Sequence, residues 1–535
     1  MPSRRALLLA LLVAALAGLR LIGTPGLLGY GGAEVYGHAW VQGWHAAALP
    51  SWPAGTDLAE GTAIWPVIDP LPTAIAALLG RIINPVFGYN AWILLSVALA
   101  FLGGAALARR EGGDPVVGGL ALALAPSLMG SLASGLTEDG AVGLGAVGLG
   151  LVGATDRRQA ALGGLCLGLL AASGLVLAWA VGLVAVGFGL GGVWRARSPL
   201  IRRLRRPLLP EEQGAQELDA LWGLVIGAGV AVAVAIPVAL LQGDRLLGQG
   251  HHLGSPRELV EPLWRLNPWR GVDLLSLVTP GPQDPDGAFV RIHPGYLGLV
   301  ALGLAAFAGR SRWWWVLLAS VLVAPGLRLS AGGHPLGMSN PFAAALAALP
   351  FGGLLNHHGR LLLVGAVALA ALASKGAARL GAQRPRLRWV LPCLLTLDYV
   401  AISPLPLPLP VADATPPDVA TQLQDLSPGP LLVIPAAGPG VHPQRALFDQ
   451  RAHGRKLLIS PNQPGLPPQL ARTPTGAWLS QLPFPNPPAP PARLDLPGVA
   501  VLLVAAPYVA PVEAALGPPD VRGEDGAAWD LGASP

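Results

Sequence analysis

The sequence contains few charged residues and almost no cysteine. Only 12% of its 535 residues are charged, whereas 52% are hydrophobic, and the mean hydropathy is +0.53. A water-soluble protein of this length could not keep so much apolar surface from water, so the composition is typical of a polytopic helical membrane protein. Both cysteines, Cys166 and Cys393, lie within apolar runs. This excludes a disulfide framework and a cysteine-based zinc site.

Lysine is nearly absent, and the basic character comes from arginine. Lys375 and Lys456 are the only two lysines, while the pI is about 9.6. The arginines form short clusters beside apolar segments, which is the pattern expected of cytoplasmic loops in membrane proteins. These clusters are PSRR at 2–5, ARRE at 108–111, DRRQ at 156–159 and WRARSPLIRRLRR at 194–206. No nucleic-acid partner is therefore expected.

Placing the basic clusters in the cytoplasm predicts about eleven membrane crossings, with the N-terminus inside and the C-terminus outside. The first apolar run, about 6–23, has no convincing cleavage site and is interpreted as an uncleaved helix. The run at 160–193 has basic residues at both ends, so we expect two short helices that meet near 171–174. The other predicted helices cover about 89–108, 115–133, 139–154, 219–241, 293–309, 313–329, 360–376 and 389–403.

These helices define a predicted transmembrane domain over residues 1–404, and the rest of the chain differs in composition. Its long connections are external loops at 24–88, 134–140 and 242–292 and a cytoplasmic basic loop at 194–217. The segment SPLPLPLP then predicts an extended linker. Later apolar runs are too short to cross a membrane and predict strands at 430–435, 456–460 and 499–507. We therefore expect an all-α polytopic membrane protein with a small C-terminal extracytoplasmic α/β domain over 405–535.

Two glycine-rich matches to GxGxxG occur, GLGAVG at 143–148 and GFGLGG at 187–192. A dinucleotide site needs a strand before this motif and a helix N-terminus at its end. Both matches lie inside apolar spans. They are interpreted as small-residue faces through which membrane helices approach closely.

Carboxylates are scarce, and several fall on the predicted external side near helix ends. The segment LTEDG carries the pair Glu138 and Asp139, and Glu34 follows the first helix. Asp69 lies in the remainder of the first external loop, as do Asp57 and Glu60, which are interpreted as solvated.

The surroundings of Glu34 are apolar and aromatic at helical spacing. Ala33, Tyr36, Trp40 and Trp44 fall on about one face, which predicts a helix lying in the membrane interface. Such a helix would hold Glu34 at membrane depth, at the outer mouth of the helix bundle.

External arginines and histidines are suited to bind a phosphate group. The strongest candidates are His357, His358 and Arg360 in NHHGR, at the outer start of a predicted helix. Anchoring of these side chains in the membrane interface is the alternative. Weaker candidates on the same side are Arg291, His293, His251, His252, Arg257, Arg265 and Arg270.

In the order of these features the chain resembles the GT-C superfamily of membrane glycosyltransferases. It resembles in particular the bacterial YfhO-like and lipid-linked mannosyltransferase-like proteins. The likeness spans about residues 1–400, with local matches at 32–55, 83–95, 273–281, 293–304 and 357–376. It implies a multi-pass protein of the bacterial inner membrane that transfers a hexose from a polyprenyl-phosphate donor to an extracytoplasmic glycan, lipid or protein acceptor. Its implied partners are this lipid-linked donor, the acceptor and membrane lipids.

The resemblance also implies roles for individual acids. The family's first external acid, which activates the acceptor, corresponds to Glu34, and its acidic pair corresponds to Glu138 and Asp139. Glu34 stands where Asp is commoner, and Tyr36 stands where a second acid often follows. This departure weakens the case for a metal bound by paired carboxylates, so a divalent cation is an open candidate and no other cofactor is expected.

Two other classes of function remain open. A catalytically degenerate scaffold or lipid-binding protein would fit the exchanged and missing acids. A transporter or flippase would need charges within the membrane and matched halves. The predicted spans are nearly free of charge and show no such halves.

Overall fold

The computed structural model describes residues 3–31, 34–48, 69–205, 211–241, 271–280, 295–349, 352, 357–403, 407–436, 443–458 and 466–532. They belong to two compact units, and the chain passes between these units more than once. The first, called the helical unit, comprises Met1–Arg20, Val67–Pro72 and Ala91–Pro410. The second, called the mixed unit, comprises Leu21–Pro66, Thr73–Asn90 and Val411–Pro535.

Helices dominate the described residues. In chain order they are α1 Arg4–Ala17, α2 Val35–Ala48, α3 Pro70–Ile82, α4 Pro85–Arg110, α5 Pro115–Ala123, α6 Pro126–Ala133, α7 Val142–Leu151, α8 Arg157–Ser173, α9 Leu175–Arg205, α10 Glu211–Leu241, α11 Leu299–Ala306, α12 Trp313–Val323, α13 Pro341–Ala347, α14 Leu362–Gln383, α15 Leu387–Leu397, α16 Asp418–Gln422, α17 Pro443–His453, α18 Pro468–Ala471, α19 Pro474–Gln481 and α20 Val509–Leu516. The strands are β1 Gly26–Leu28, β2 Arg328–Ala331, β3 His334–Ser339, β4 Val411–Asp413, β5 Leu431–Ile434, β6 Val501–Ala505, β7 Val521–Arg522 and β8 Gly526–Asp530.

Several of the helices are suited to cross a membrane. Within the described ranges, five are long and apolar enough to do so: Pro85–Arg110, Pro115–Ala133, Leu175–Trp194, Asp219–Leu240 and His358–Gln383. The break expected at 171–174 is confirmed, because α8 ends at Ser173 and α9 begins at Leu175. The number of about eleven crossings stays a prediction.

The core of the helical unit forms around α14. This helix is buried along most of its length and packs against α5, α11 and α12. Glycine permits close helix contacts elsewhere, since a Cβ at Gly143 would lie 2.2 Å from the Leu99 carbonyl oxygen. The small-residue interpretation is thus confirmed for 143–148. Contacts with another helix are looser at 187–192, since a Cβ at Gly189 or Gly192 would lie 3.6 or 3.8 Å from the Leu224 side chain and one at Gly187 or Gly191 meets no atom within 4 Å.

Ion pairs join three helix ends of the helical unit on the side predicted to be cytoplasmic. Glu111, directly after α4, accepts hydrogen bonds from Arg312 at 3.1 Å and from Lys375 at 3.3 Å. The Arg312 guanidinium also lies 4.1 Å from the Phe188 ring centroid. One carboxylate thereby links α4, α12 and α14.

Two buried aspartates organise the loops of the helical unit. Asp273 accepts hydrogen bonds from the backbone N–H groups of Leu275, Gly332 and Gly333, each at 2.9 Å, and so holds the β2–β3 turn. Asp398 accepts one from Tyr296 at 2.5 Å and one from the Val300 N–H at 2.8 Å. Because both carboxylates are saturated by donors, they are structural anchors.

The mixed unit is built on a four-stranded sheet with the order β5-β6-β8-β7. Strands β5 and β6 are parallel, and the other two pairs are antiparallel. The strands predicted at 430–435 and 499–507 are confirmed as β5 and β6. The run at 456–460 contributes only a single described bridge, Leu457 to Leu431, and β7 and β8 were not predicted. A short antiparallel pair, β1 with β4, completes this unit.

Helix α2 also belongs to the mixed unit and is buried against its core. The Trp40 indole donates to Gln450 at 2.8 Å and packs in a cluster with Leu447 and Leu457. The Tyr36 hydroxyl donates to the Asp413 carbonyl oxygen at 2.8 Å. The helix expected after Glu34 is therefore confirmed, but its placement in the membrane interface is wrong for Tyr36 and Trp40. These aromatic side chains face protein because α17 offers hydrogen-bond partners for their polar ends.

Two ionisable groups on α17 have opposite effects on the pH dependence of stability. Burial raises the pKa of Asp449 from 3.8 to about 6, although Arg445 opposes the shift. Folding then favours the protonated acid, so this contribution to stability falls as the pH rises from about 4 to 6. Burial, assisted by Arg455, lowers the pKa of His453 from 6.5 to about 4. This contribution to stability therefore rises with pH between about 4 and 6.5.

Single variants should separate these two contributions. In His453→Asn, the stability of the α17 region is expected to fall by on the order of 2 kcal/mol as the pH rises from 4 to 6. In Asp449→Asn, it is expected to rise over the same interval. Hydrogen exchange of α17 and β5 peptides in the intact chain, corrected for intrinsic rates, measures both slopes. Equal slopes in the two variants would contradict the assignment.

Candidate functional site

The predicted acidic pair is enclosed in a turn of the helical unit. After α6 the chain passes through Gly135, at a φ of 83°, into a 3₁₀ turn, Thr137–Ala141. The Trp92 indole fixes this turn by donating to the Thr137 carbonyl oxygen at 3.0 Å. Glu138 and Asp139 are both buried as a result. A buried carboxylate needs hydrogen-bond donors or a cation.

Arg360 supplies that cation. It lies in a second 3₁₀ turn, His358–Leu361, directly before α14. Its Nη2 is 2.6 Å from Asp139 Oδ1 and 2.8 Å from Glu138 Oε1, while its Nε is 3.1 Å from Asp139 Oδ1. The structure thus brings together three residues that the sequence only placed near the same side of the membrane. Such charge-assisted contacts are short and strong.

Asp69 joins this cluster, and sequence reasoning did not single it out. It is buried, and its Oδ2 accepts a hydrogen bond from the Thr137 hydroxyl. A carboxylate oxygen of Asp69 lies within 4.8 Å of one of Glu138. The two segments are 68 residues apart in the chain, so no local spacing could indicate the contact.

The cluster carries more negative than positive charge. Among the described residues of the helical unit, the carboxylates of Asp69, Glu138 and Asp139 lie near the guanidinium of Arg360, whose shortest bond, 2.6 Å, is to Asp139. An excess of buried carboxylate is stable only when a proton or a cation compensates it. Asp69 and Glu138 offer the hard oxygen ligands that Mg²⁺ prefers. Among the described residues of the helical unit, Asp69 and Glu138 could therefore hold a divalent cation.

His358 lies two residues before Arg360 and is fully buried. Neither of its ring nitrogens has a hydrogen-bond partner among the described residues. An unpaired buried imidazole is unfavourable, so the position favours a polar ligand. His357 is half-buried. The other predicted phosphate-binding residues lie outside the described residues: Arg291, His293, His251, His252, Arg257, Arg265 and Arg270.

Glu34 belongs to the mixed unit. It precedes α2, and its side chain is 53% exposed. Its Oε2 lies 3.7 Å from Nε2 of the buried His38, one helical turn later. A half-exposed carboxylate next to an imidazole can exchange a proton with a bound molecule, as a general base must.

Gly174 gives a test of how tightly Glu138 is positioned. A Cβ at residue 174 would lie 2.7 Å from Glu138 Cβ. Gly174→Ala is therefore expected to displace Glu138 and to destabilise the protein by about 1–3 kcal/mol. Gly182 is the control, because it lies in the following helix α9 and a Cβ there meets no atom within 4 Å. Thermal unfolding in detergent compares the two variants, and equal midpoints would contradict the packing argument.

The long apolar helices are typical of a membrane protein. Among solved structures, the chain is similar to arabinofuranosyltransferase AftD from Mycobacteria, with a TM-score of 0.52 and 16% identity. The match covers 100% of this chain and 40% of that chain, so the chain spans less than half of AftD. The chain therefore shares its fold with a known glycosyltransferase, in agreement with the fold that the sequence resemblance predicted.

Two further solved structures are similar at lower scores. The Archaeoglobus fulgidus oligosaccharyltransferase has a TM-score of 0.46 and 13% identity, covering 94% of this chain and 69% of that chain. ArnT from Cupriavidus metallidurans has a TM-score of 0.42 and 17% identity, covering 97% of both chains. No protein-family model and no curated protein matches the sequence.

Proposed function

We propose that this chain is an integral membrane glycosyltransferase that moves a sugar from a polyprenyl-phosphate donor to an extracytoplasmic glycan, lipid or protein acceptor. The observation that carries the proposal is the buried cluster of Asp69, Glu138, Asp139 and Arg360 within a GT-C fold. A structural core alone would gain little from so many buried charges, because their desolvation opposes folding. We therefore assign the cluster to catalysis.

The proposed reaction has one bond-forming and one bond-breaking event at the sugar's anomeric carbon. The acceptor hydroxyl oxygen attacks this carbon, the bond to the phosphate oxygen breaks, and polyprenyl phosphate leaves. Glu34 accepts the proton of the acceptor hydroxyl as general base. Its exposure of 53% supports this role, since the carboxylate must reach both acceptor and solvent.

The cluster in the helical unit is proposed to handle the departing phosphate. Asp139 holds the guanidinium of Arg360 with three contacts and thereby positions Glu138. Asp69 and Glu138 would bind a divalent cation, which would supply positive charge to the leaving group. The unpaired nitrogens of His358 are suited to donate to or accept from a phosphate oxygen. His357 is also proposed to bind the phosphate, as are Arg291 and His293, which the sequence alone suggests.

The topology belongs to the same proposal. We infer about eleven crossings in a transmembrane domain over 1–404 and an extracytoplasmic α/β domain over 405–535. The N-terminus would be cytoplasmic, in the inner membrane of a bacterium. The arginine clusters and the apolar helices support this arrangement.

Donor turnover by the purified chain tests the proposal. The protein, reconstituted in lipid, is incubated with polyprenyl-phosphate-linked pentoses and hexoses, each with and without MgCl₂ or EDTA. Mass spectrometry then follows release of polyprenyl phosphate. Turnover that disappears in Asp69→Asn supports a catalytic cluster. If no donor is turned over, and if His358→Asn leaves the binding of polyprenyl phosphate unchanged, the result favours a degenerate scaffold instead.

A further inference from the structure

The mixed unit contains a cavity that the proposed reaction does not use. Its volume is about 780 Å³, within the range of roughly 300–1,000 Å³ typical of small-molecule sites. It is lined entirely by residues of the mixed unit, from the segments around β4, α16, β5, α17 and β6. All residues that carry the proposal belong to this unit.

The cavity lies where parallel strands end. Ile434 is the last residue of β5 and Pro435 follows it, while Ala505 is the last residue of β6 and Pro507 lies just beyond it; all four line the cavity. In open α/β sheets, ligands bind outside the carboxyl ends of the parallel strands, because the loops that follow the strands diverge there. The position of the cavity in the sheet therefore points to a binding site.

The polar lining is rich in hydrogen-bond acceptors. Carboxylates of Asp413, Asp418, Asp449 and Asp525 line the cavity, against a single arginine. This arginine, Arg445, already donates to Asp449, to the Tyr36 hydroxyl and to the Asp413 carbonyl oxygen. A phosphate or carboxylate ligand would therefore meet net negative charge without an available guanidinium. The lining suits a ligand that donates many hydrogen bonds.

The carboxylates do not form a metal site. Within the described residues, no three of these aspartates and His453 bring ligand atoms within 4.8 Å of one another. Much of the remaining lining is apolar and includes Val419, Val433, Leu503 and Tyr508. A pyranose or furanose ring matches both features, since its hydroxyls donate to carboxylates and its C–H faces pack on apolar and aromatic surface.

We propose that this cavity binds a neutral saccharide through the carboxylates of Asp418 and Asp525 and the ring of Tyr508. The Asp525 Oδ2 accepts a hydrogen bond from the Asp418 N–H at 3.4 Å, which places the two acids side by side at the cavity wall. Their four oxygens are suited to receive vicinal hydroxyls. The site takes a saccharide whether or not the helical unit transfers sugar.

The test measures saccharide binding by the intact chain in lipid nanodiscs, prepared without sugar-based detergent. Saturation-transfer NMR and calorimetry use maltotriose, mannotriose and arabinotriose as probes, with spermidine as a cationic probe. At least one trisaccharide is expected to bind saturably. Asp525→Asn and Tyr508→Ala are expected to weaken that binding at least tenfold.

Two comparisons keep this test specific. Glu524→Gln changes the neighbouring exposed acid, which does not line the cavity, and is expected to leave binding unchanged. Tyr508→Phe retains the packing of the ring and is expected to lose less than Tyr508→Ala. The proposal is overturned if spermidine binds while no trisaccharide does, or if Asp525→Asn and Glu524→Gln bind alike. Donor turnover is scored separately, so its loss or presence does not alter this result.

Discussion

Arg360→Ala is expected to destabilise the protein by about 3–5 kcal/mol, since it leaves Glu138 and Asp139 buried without their cation. The guanidinium makes bonds of 2.6 and 2.8 Å to the two acids, which are themselves buried. Arg360→Lys should be partly destabilised too, because an ammonium cannot reproduce the forked contact to Asp139. Thermal unfolding in a mild detergent, with the yield of folded protein, measures both effects.

The reason for this loss can be tested by removing the stranded charges. In the triple variant Arg360→Met, Glu138→Gln, Asp139→Asn, most of the stability should return, since the two acids that paired with Arg360 no longer carry charge. Arg384→Ala serves as the control, because Arg384 is exposed at the far end of the same α14 helix. A fully stable Arg360→Ala protein would show that the pair contributes nothing to folding.

Glu34→Gln is expected to lower the rate of sugar transfer by about 10²–10⁴-fold, the usual contribution of a general base. Folding should be nearly unaffected, because the side chain is half-exposed and lies at its exposed end no closer than 3.7 Å to the His38 imidazole nitrogen Nε2. Glu34→Asp should retain part of the rate, since the carboxylate is kept on a side chain that is one methylene shorter. Transfer is measured with the donor that wild type turns over, at saturating acceptor.

This prediction has a matched control on the same helix. Gln42, on α2, is buried and is not assigned a role in proton transfer. Gln42→Glu would disturb packing, and its effect should appear as a lower unfolding midpoint. If Glu34→Gln also lowers the midpoint and loses rate in proportion, Glu34 is structural and the assignment as base is wrong.

The sequence predicted many helix positions well, for a physical reason. Apolar runs and arginine clusters are local signals, and the break at Gly174 followed from charge at both ends of one run. Strands β5 and β6 were likewise predictable, since each is a short apolar run between Pro and Gly residues. Strand β7 was missed because it has only two residues, and β8, GAAWD, because it lacks a run of branched apolar residues.

The site was only partly predictable. Glu138, Asp139 and Arg360 were each identified, but their ion pair joins residues 221 positions apart and depends on tertiary packing. Asp69 lacked any local signal, since its partner Thr137 comes from a distant turn. Tyr36 and Trp40 had the spacing of an interfacial helix, yet the same pattern is produced by a helix buried against protein.

The central claim is that Glu138, held by Arg360, takes part in sugar transfer. Its most direct test is the donor turnover of Glu138→Gln relative to wild type, each normalised to folded protein, with Glu524→Gln as an exposed control. Asp139 still pairs with Arg360 in this variant, so the fold should persist. We predict a loss of at least 100-fold with an unfolding midpoint near that of wild type. Turnover equal to that of Glu524→Gln would contradict the account.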